Sequence, residues 1–291
     1  MSLLVCFLGI DGLVLATDSR GTFGDPRGVT AQNDLIKKLY VANNRVGVLV
    51  AGAGDLGSTV MSGFLNLPDT QSLGVTELTM ALHQYTRKQF GEWFQRFAIK
   101  QVGADSRPVR PELNLLVAGF DLNREAKIFS LSSSLDFAPI LHNYGFGVDR
   151  VAQYALSLVN RLYDPVATMD DLQYLVAYVI TETANQDGKV GGPIQLATIG
   201  AAMPLVLDAS AIKQLVLANS ERSRALKSSF LTNQYKGGRA QPPDSLKLAL
   251  GSSLEAANSP TPYGVSVRKS SAALSTVAEE SFGICSPGFR W

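Results

Sequence analysis

The chain has 291 residues, room for one large domain or two small ones, and 46% of them are hydrophobic, enough for a sizeable core. Lys and Arg total 26 against 25 Asp and Glu, so no net field favours nucleic acid or an anionic membrane surface. The two cysteines, Cys6 and Cys285, give neither a disulfide framework nor a metal-ligand spacing, and no run approaches the roughly eighteen apolar residues of a membrane span.

The opening stretch, Ser2 to Leu8, is apolar at every alternate position on both faces and reads as a strand covered on both sides. It lacks the basic lead-in of a secretory signal and is broken by Asp11, so the expected compartment is the cytoplasm. Across Ile10-Asp11-Gly12 the chain turns back, and a second strand, Leu13 to Thr17, delivers Asp18 at its end. Gly21 to Asp34, rich in Gly, Asp, Asn and Pro, reads as a loop. Ile36 to Val41 and Val46 to Val50 form a second hairpin around Ala42-Asn43-Asn44.

From Asp55 the period changes, and Leu56, Val60, Phe64 and Leu67 predict a helix starting beside the Gly52 to Gly54 backbone. Leu78, Leu82, Tyr85, Trp93 and Phe97 predict a second helix with a break near Gly91. Two strands, Leu113 to Phe120 and Ala126 to Leu131, and a third, Phe137 to His142, precede Tyr144-Gly145-Phe146-Gly147. That segment is expected to lead into a helix carrying Val148, Val151, Ala152, Ala155, Val159 and Leu162 on one face. Thr168 and Asp171 spell a capping box for the next helix. Pro193 to Gly200 reads as a strand, Leu205 to Leu207 as a short one, and Ser210 to Ser228 as a helix. The alternation of strand runs and helix pairs predicts an α+β fold, a four-layer αββα sandwich of two antiparallel sheets. The expected domain spans residues 1–230, and residues 231–291, dominated by Gly, Pro, Ser, Ala, Asn and Gln, form a low-complexity tail.

A strand that begins at the second residue has a chemical implication. With Met1 removed, Ser2 would carry a hydroxyl nucleophile and, on the same residue, an α-amine whose reference pKa of roughly 7.7 to 8.0 suits a general base. Such a site needs a cation to keep the amine neutral, a carboxylate to hold the cation, and backbone N–H donors for the oxyanion. Asp18 and either Lys37 or Lys38 offer the pair; strand alternation sends the two lysines to opposite faces and allows either.

These residues resemble a β-type proteasome subunit, an N-terminal nucleophile hydrolase of the bacterial proteasome-homologue type. Asp18-Ser19-Arg20 stands at the family's distance from Ser2, Lys38-Leu39-Tyr40 matches its Lys-aliphatic-aromatic step, and Val50-Ala51-Gly52-Ala53-Gly54-Asp55 its Ala-Gly step before a helix. The resemblance covers Ser2 to Ala201. It implies the αββα fold and a catalytic set of Ser2, Asp18, Lys38 and Gly52, with Arg20 and Asp187 in support; Gly52 would donate its N–H to the oxyanion, and because the segment is one residue shorter than the family's, Ala53 is the alternative donor. It also implies a peptide or unfolded-protein substrate and a homo-oligomeric ring. Any ATPase partner stays unread, and no cofactor, metal, nucleic acid or membrane partner is expected. Two departures stand out: where the family has hydrogen-bonding serines near the amine, the matching positions are Phe146 and Val190. The leading expectation is therefore an endopeptidase acting through an acyl-enzyme on Ser2. A degenerate scaffold of the same fold and an acyl-transferring peptide ligase are the alternatives. His83 and His142 are expected to be structural.

Overall fold

The computed structural model describes residues 2–25, 28–94, 111–149, 152–201 and 203–235. The chain opens with β1 (Leu4–Leu8) and β2 (Gly12–Thr17), an antiparallel pair in which Leu4 faces Thr17 and Leu8 faces Leu13. It continues through β3 (Gly21–Asp25), β4 (Gly28–Asn33), β5 (Leu39–Val41), β6 (Val46–Gly52), α1 (Gly54–Leu65) and α2 (Val75–Phe94). After β7 (Leu113–Phe120), β8 (Ala126–Ser132), β9 (Ile140–Leu141) and β10 (Phe146–Asp149) come α3 (Ala152–Leu162) and α4 (Met169–Gln186). The described part closes with β11 (Gln195–Gly200), β12 (Leu205–Val206) and α5 (Ala209–Tyr235). The strands form one five-stranded sheet in the order β10-β1-β2-β11-β12, another in the order β5-β6-β7-β8-β9, and a separate β3-β4 pair. Every pairing is antiparallel.

The period-2 alternation of the strands decides where each side chain goes. Leu3, Val5 and Phe7, with Val14, Ala16 and Leu196, pack against Ala155 and Val159 of α3 and Leu172, Val176 and Ile180 of α4. The intervening Leu4, Cys6, Leu13, Leu15, Ala197 and Ile199 meet Leu49, Ala51, Leu116 and Ala118 of the other sheet. On that sheet's opposite face, Val46, Val48, Val50, Leu113, Leu115 and Val117 pack against Val60, Met61 and Phe64 of α1 and Leu78, Leu82 and Phe90 of α2. Fully burying each such Leu or Val contributes roughly 1.5–3 kcal/mol, so strands apolar on both faces are held on both. The capping box opens α4 as expected: the Thr168 hydroxyl accepts from Asp171 N–H, and the Asp171 carboxylate accepts from Thr168 N–H.

Several expectations are corrected. The stretch from Gly21 to Asp34 is a β-hairpin with an irregularity between Phe23 and Gly24. β1 starts at Leu4, and α2 passes through Gly91 without a break. The strand expected over Phe137 to His142 shrinks to Ile140–Leu141, because Asp136 and Phe137 take left-handed backbone angles that put the Phe137 ring into the core. Val148 belongs to β10 and the following helix begins at Ala152. Phe97 and, apart from the last turns of α5, the tail of 231–291 lie outside the described residues.

Candidate active site

The β1–β2 register that pairs Leu4 with Thr17 brings Leu3 opposite Asp18, and the Leu3 N–H donates to Asp18 Oδ1 at 2.9 Å. The same oxygen receives the Lys38 ammonium at 3.1 Å. On the other carboxylate oxygen, Asp18 Oδ2 accepts from the N–H groups of Arg20 at 3.1 Å and Gly191 at 3.2 Å. Asp18 is fully buried, and four donors replace the water it has lost.

Lys38 is 4% exposed. Besides Asp18 it donates to the Arg20 carbonyl at 2.6 Å, which leaves one of its three ammonium protons. Burial pushes its pKa below the ordinary 10.5, with Asp18 pulling the other way. Lys37 is exposed, with its ammonium 4.8 Å from the Tyr40 ring centre. Alternation has thus sent the two lysines apart, and Lys38 is the one at Asp18.

Ser2, Lys38 and Gly52 line one cavity of about 440 Å³, together with Ile36, Val50 and Phe94. Gly52 ends β6 at φ +106°, in backbone space that disfavours a side chain, and a Cβ there would run into the Glu112 carbonyl. Ala53 N–H donates to that carbonyl at 2.9 Å, so the alternative oxyanion donor is already engaged. By ladder alternation the neighbouring Gly52 N–H turns away from β7, to the side on which regular pairing with β5 has ended.

Arg20 supports the cluster with its carbonyl, while its side chain makes a two-pronged pair with Asp34, Nε to Oδ1 at 2.7 Å and Nη2 to Oδ2 at 2.9 Å. The Arg20 guanidinium beside it lowers the Asp34 pKa. The third prong, Nη1, reaches the Gly188 carbonyl at 3.0 Å. Asp187 is separate: its carboxylate accepts from Lys189 N–H in the turn after α4. That turn enters the site through Gly191, whose carbonyl accepts from Ser19 and Arg20 N–H.

Of the two departure residues, Phe146 does not lie where the sequence reading put it. Phe146 faces Phe7 in the β1–β10 ladder, at the end of β1 away from Ser2, and its ring packs edge-on to Tyr163. The β10 residue at the Ser2 end is Asp149, opposite Leu4. Val190 is fully buried in the core against α3 and α4. His83 Nδ1 bonds to the Phe137 carbonyl at 2.7 Å, and burial lowers the His142 pKa; neither lines the Ser2 cavity.

No protein-family model and no curated protein matches the chain, but solved structures do. Superposition on Anbu (ancestral beta-subunit) from Yersinia bercovieri gives a TM-score of 0.60 at 16% identity, covering 82% of this chain and 100% of that one. An Anbu (Gly-1) mutant from Hyphomicrobium sp. strain MC1 gives 0.58 at 17% identity over 79% and 99%. The helical assembly of the Anbu complex from Pseudomonas aeruginosa gives 0.59 at 15% over 83% and 99%. The chain has the Anbu fold. This corrects the resemblance drawn from the short motifs: the fold neighbours are Anbu proteins, a branch related to the β-type proteasome subunits but distinct from them.

Within the Anbu fold, two residues that sequence reasoning passed over complete the cluster. Asp34 holds Arg20, and Gln195 bonds to the backbone around Lys38. Their partners are distant in sequence, and no local pattern announces them. Among the described residues no group of His, Cys, Asp and Glu is placed to hold a metal ion, and no helix is long and apolar enough to cross a membrane.

Proposed function

We propose that this Anbu-like chain is an amidohydrolase of peptides whose nucleophile is Ser2, active once whatever precedes Ser2 has been removed. The observation that carries the reading is the Asp18 oxygen shared by the Leu3 amide and the Lys38 ammonium, beside a cavity that Ser2 and Gly52 also line. In this reading Lys38 keeps the neighbouring Ser2 amine neutral by like-charge proximity. The amine accepts the Ser2 hydroxyl proton as Oγ bonds to the substrate carbonyl carbon, and Gly52 N–H stabilises the oxyanion. When the C–N bond breaks, the same proton passes to the leaving amine. Water then attacks the ester carbonyl and gives one proton to the Ser2 amine; as the C–Oγ bond breaks, the amine returns that proton to Oγ and the acid leaves.

The fold-level parts of the reading follow the same packing. We read the three apolar clusters as the interfaces of a four-layer αββα sandwich spanning residues 1–230, residues 231–291 as an appendage, and the cytoplasm as the compartment. The Pseudomonas structure is described as a helical assembly, which favours a homo-oligomer here; whether copies close into a ring depends on whether their rotation closes. Sedimentation and negative-stain imaging test this, and a monomer at micromolar concentration refutes it.

A second reading, a scaffold without turnover, is favoured by Val190, a side chain without a hydroxyl one residue before the Gly191 that donates to Asp18. The deciding experiment is intact-mass analysis of the native protein before and after treatment with a β-lactone probe. The expected result is a chain starting at Ser2 that gains one acyl group, absent in Ser2→Ala. A native chain that retains Met1, or a free Ser2 that stays unlabelled, sinks the hydrolase.

A further inference from the structure

Gln195 opens β11 in register with Thr17 of β2, one residue from Asp18. Its side chain crosses to the other sheet, where the chain approaches β5 before regular pairing has begun. There Oε1 accepts from Lys38 N–H at 2.9 Å and from Leu39 N–H at 3.0 Å, while Nε2 donates to the Ile36 carbonyl at 2.6 Å. Among the described residues β5 is an edge strand, with β6 on one side only, so these backbone groups have no ladder partner there. A primary amide matches all three, because its oxygen has two lone pairs for two donors and its nitrogen serves the carbonyl. The three partners also fix its orientation, because a flipped amide would face donors with donors.

We propose that Gln195 is a positioning residue for Lys38, holding residues 36–39 of one sheet against the Asp18 end of the other so that the ammonium reaches both Asp18 and the Ser2 cavity. This goes beyond the hydrolase reading and rests on it only for the kinetic consequence. With the backbone of residues 36–39 released, Lys38 withdraws from Asp18, its like-charge effect on the Ser2 amine weakens, and the amine needs a higher pH to be neutral.

The test compares full-length wild type with Gln195→Met, which keeps length but forms none of the three bonds, and Gln195→Glu, which keeps the double acceptor. The first readout needs no catalysis: competitive acetylation of Lys38 against exposed Lys37 in the native protein, quantified by mass spectrometry. Burial protects Lys38 in wild type; Gln195→Met is expected to reduce that protection roughly 10-fold or more, and Gln195→Glu, which keeps two of the three bonds but turns an oxygen toward the Ile36 carbonyl, to fall between Met and wild type. The second is the rate of Ser2 acylation by a β-lactone across pH. For Gln195→Met we expect a loss of roughly 10- to 100-fold, as for a displaced catalytic group, with the rising limb moved to higher pH. Should Gln195→Met fail to fold, Gln195→Asn, one methylene short of its partners, takes its place with the same expectations. Wild-type protection and an unmoved pH profile in a folded Gln195→Met protein overturn the proposal, and so does a Glu variant no better than Met. If wild-type Ser2 never reacts, the hydrolase reading falls, while the acetylation ratio still decides the role of Gln195.

Discussion

Two cavities mark opposite ends of the β1–β2 hairpin, one of about 440 Å³ at Ser2 and one of about 820 Å³ around the turn at Gly9–Gly12. The larger is lined by Asp11 and Asp121, but both carboxylates serve helix starts. Asp11 accepts from Met169 N–H at 2.7 Å, and Asp121 accepts from Thr76 N–H at 2.8 Å and pairs with Lys127. At the smaller, Asp18 and Lys38 are taken out of water together. A buried ion pair often contributes no more stability than apolar side chains of equal volume, so stability alone is a poor reason to keep one. Cavity size therefore says less about chemistry here than the presence of a desolvated charge pair beside Ser2.

That contrast can be broken by mutation. The largest effect is expected from Asp18→Asn, which leaves Lys38 buried without its counter-ion: about 3–5 kcal/mol of stability lost in urea titrations. Asp121→Ala, at the other end, removes an interaction comparable to a helix cap, worth about 1 kcal/mol. Equal losses would erase the distinction between the two ends. Next comes Gly52→Ala, where φ +106° and the Glu112 carbonyl oppose a side chain. It should lose about 1–3 kcal/mol and, as an oxyanion donor is displaced, roughly 10²- to 10³-fold in Ser2 acylation.

A smaller effect is set by pH. Because burial holds Lys38 below 10.5, the folded state binds fewer protons than the unfolded state between its lowered pKa and 10.5, and stability rises with pH across that window. Urea midpoints for wild type should show this rise and Lys38→Met should lack it; identical slopes would mean that Lys38 is not desolvated. The smallest effect is expected from Asp34→Ala. Arg20 lowers the Asp34 pKa, so the pair's stabilisation is present above the ordinary 3.8 and disappears as pH falls through the lowered value. The difference in melting temperature between variant and wild type should vanish in acid and shrink in salt.

The contrast also shows how much the sequence could carry. That Ser2 and Asp18 share one end of the first hairpin was legible because a two-residue turn fixes the register of its strands, whereas Gly52, on the other sheet, was singled out by the Ala-Gly step of the resemblance. Lys38 was narrowed to one of two by alternation and then chosen through its place before Leu39-Tyr40. Gln195 and Asp34 were not legible, since a Gln at a strand start and an Asp in a turn look the same whether or not another element reaches them. The hairpin at residues 21–34 was hidden by glycines, whose composition signals a loop even when the backbone pairs. Phe146 was misplaced for a related reason: a glycine on each side suggested a turn into a helix, but the chain there is a strand committed to β1, and only the ladder register shows which of its ends meets Ser2.

The Leu3 amide bond to Asp18 has a practical corollary. With residue 3 anchored and residue 2 buried at the cavity wall, an affinity tag fused ahead of Ser2 would both cap the amine proposed as the base and fill the space the proposed substrate needs. Preparations purified through an amino-terminal handle would then read as inert whatever their chemistry, whereas a handle on the carboxyl side leaves the question open to assay.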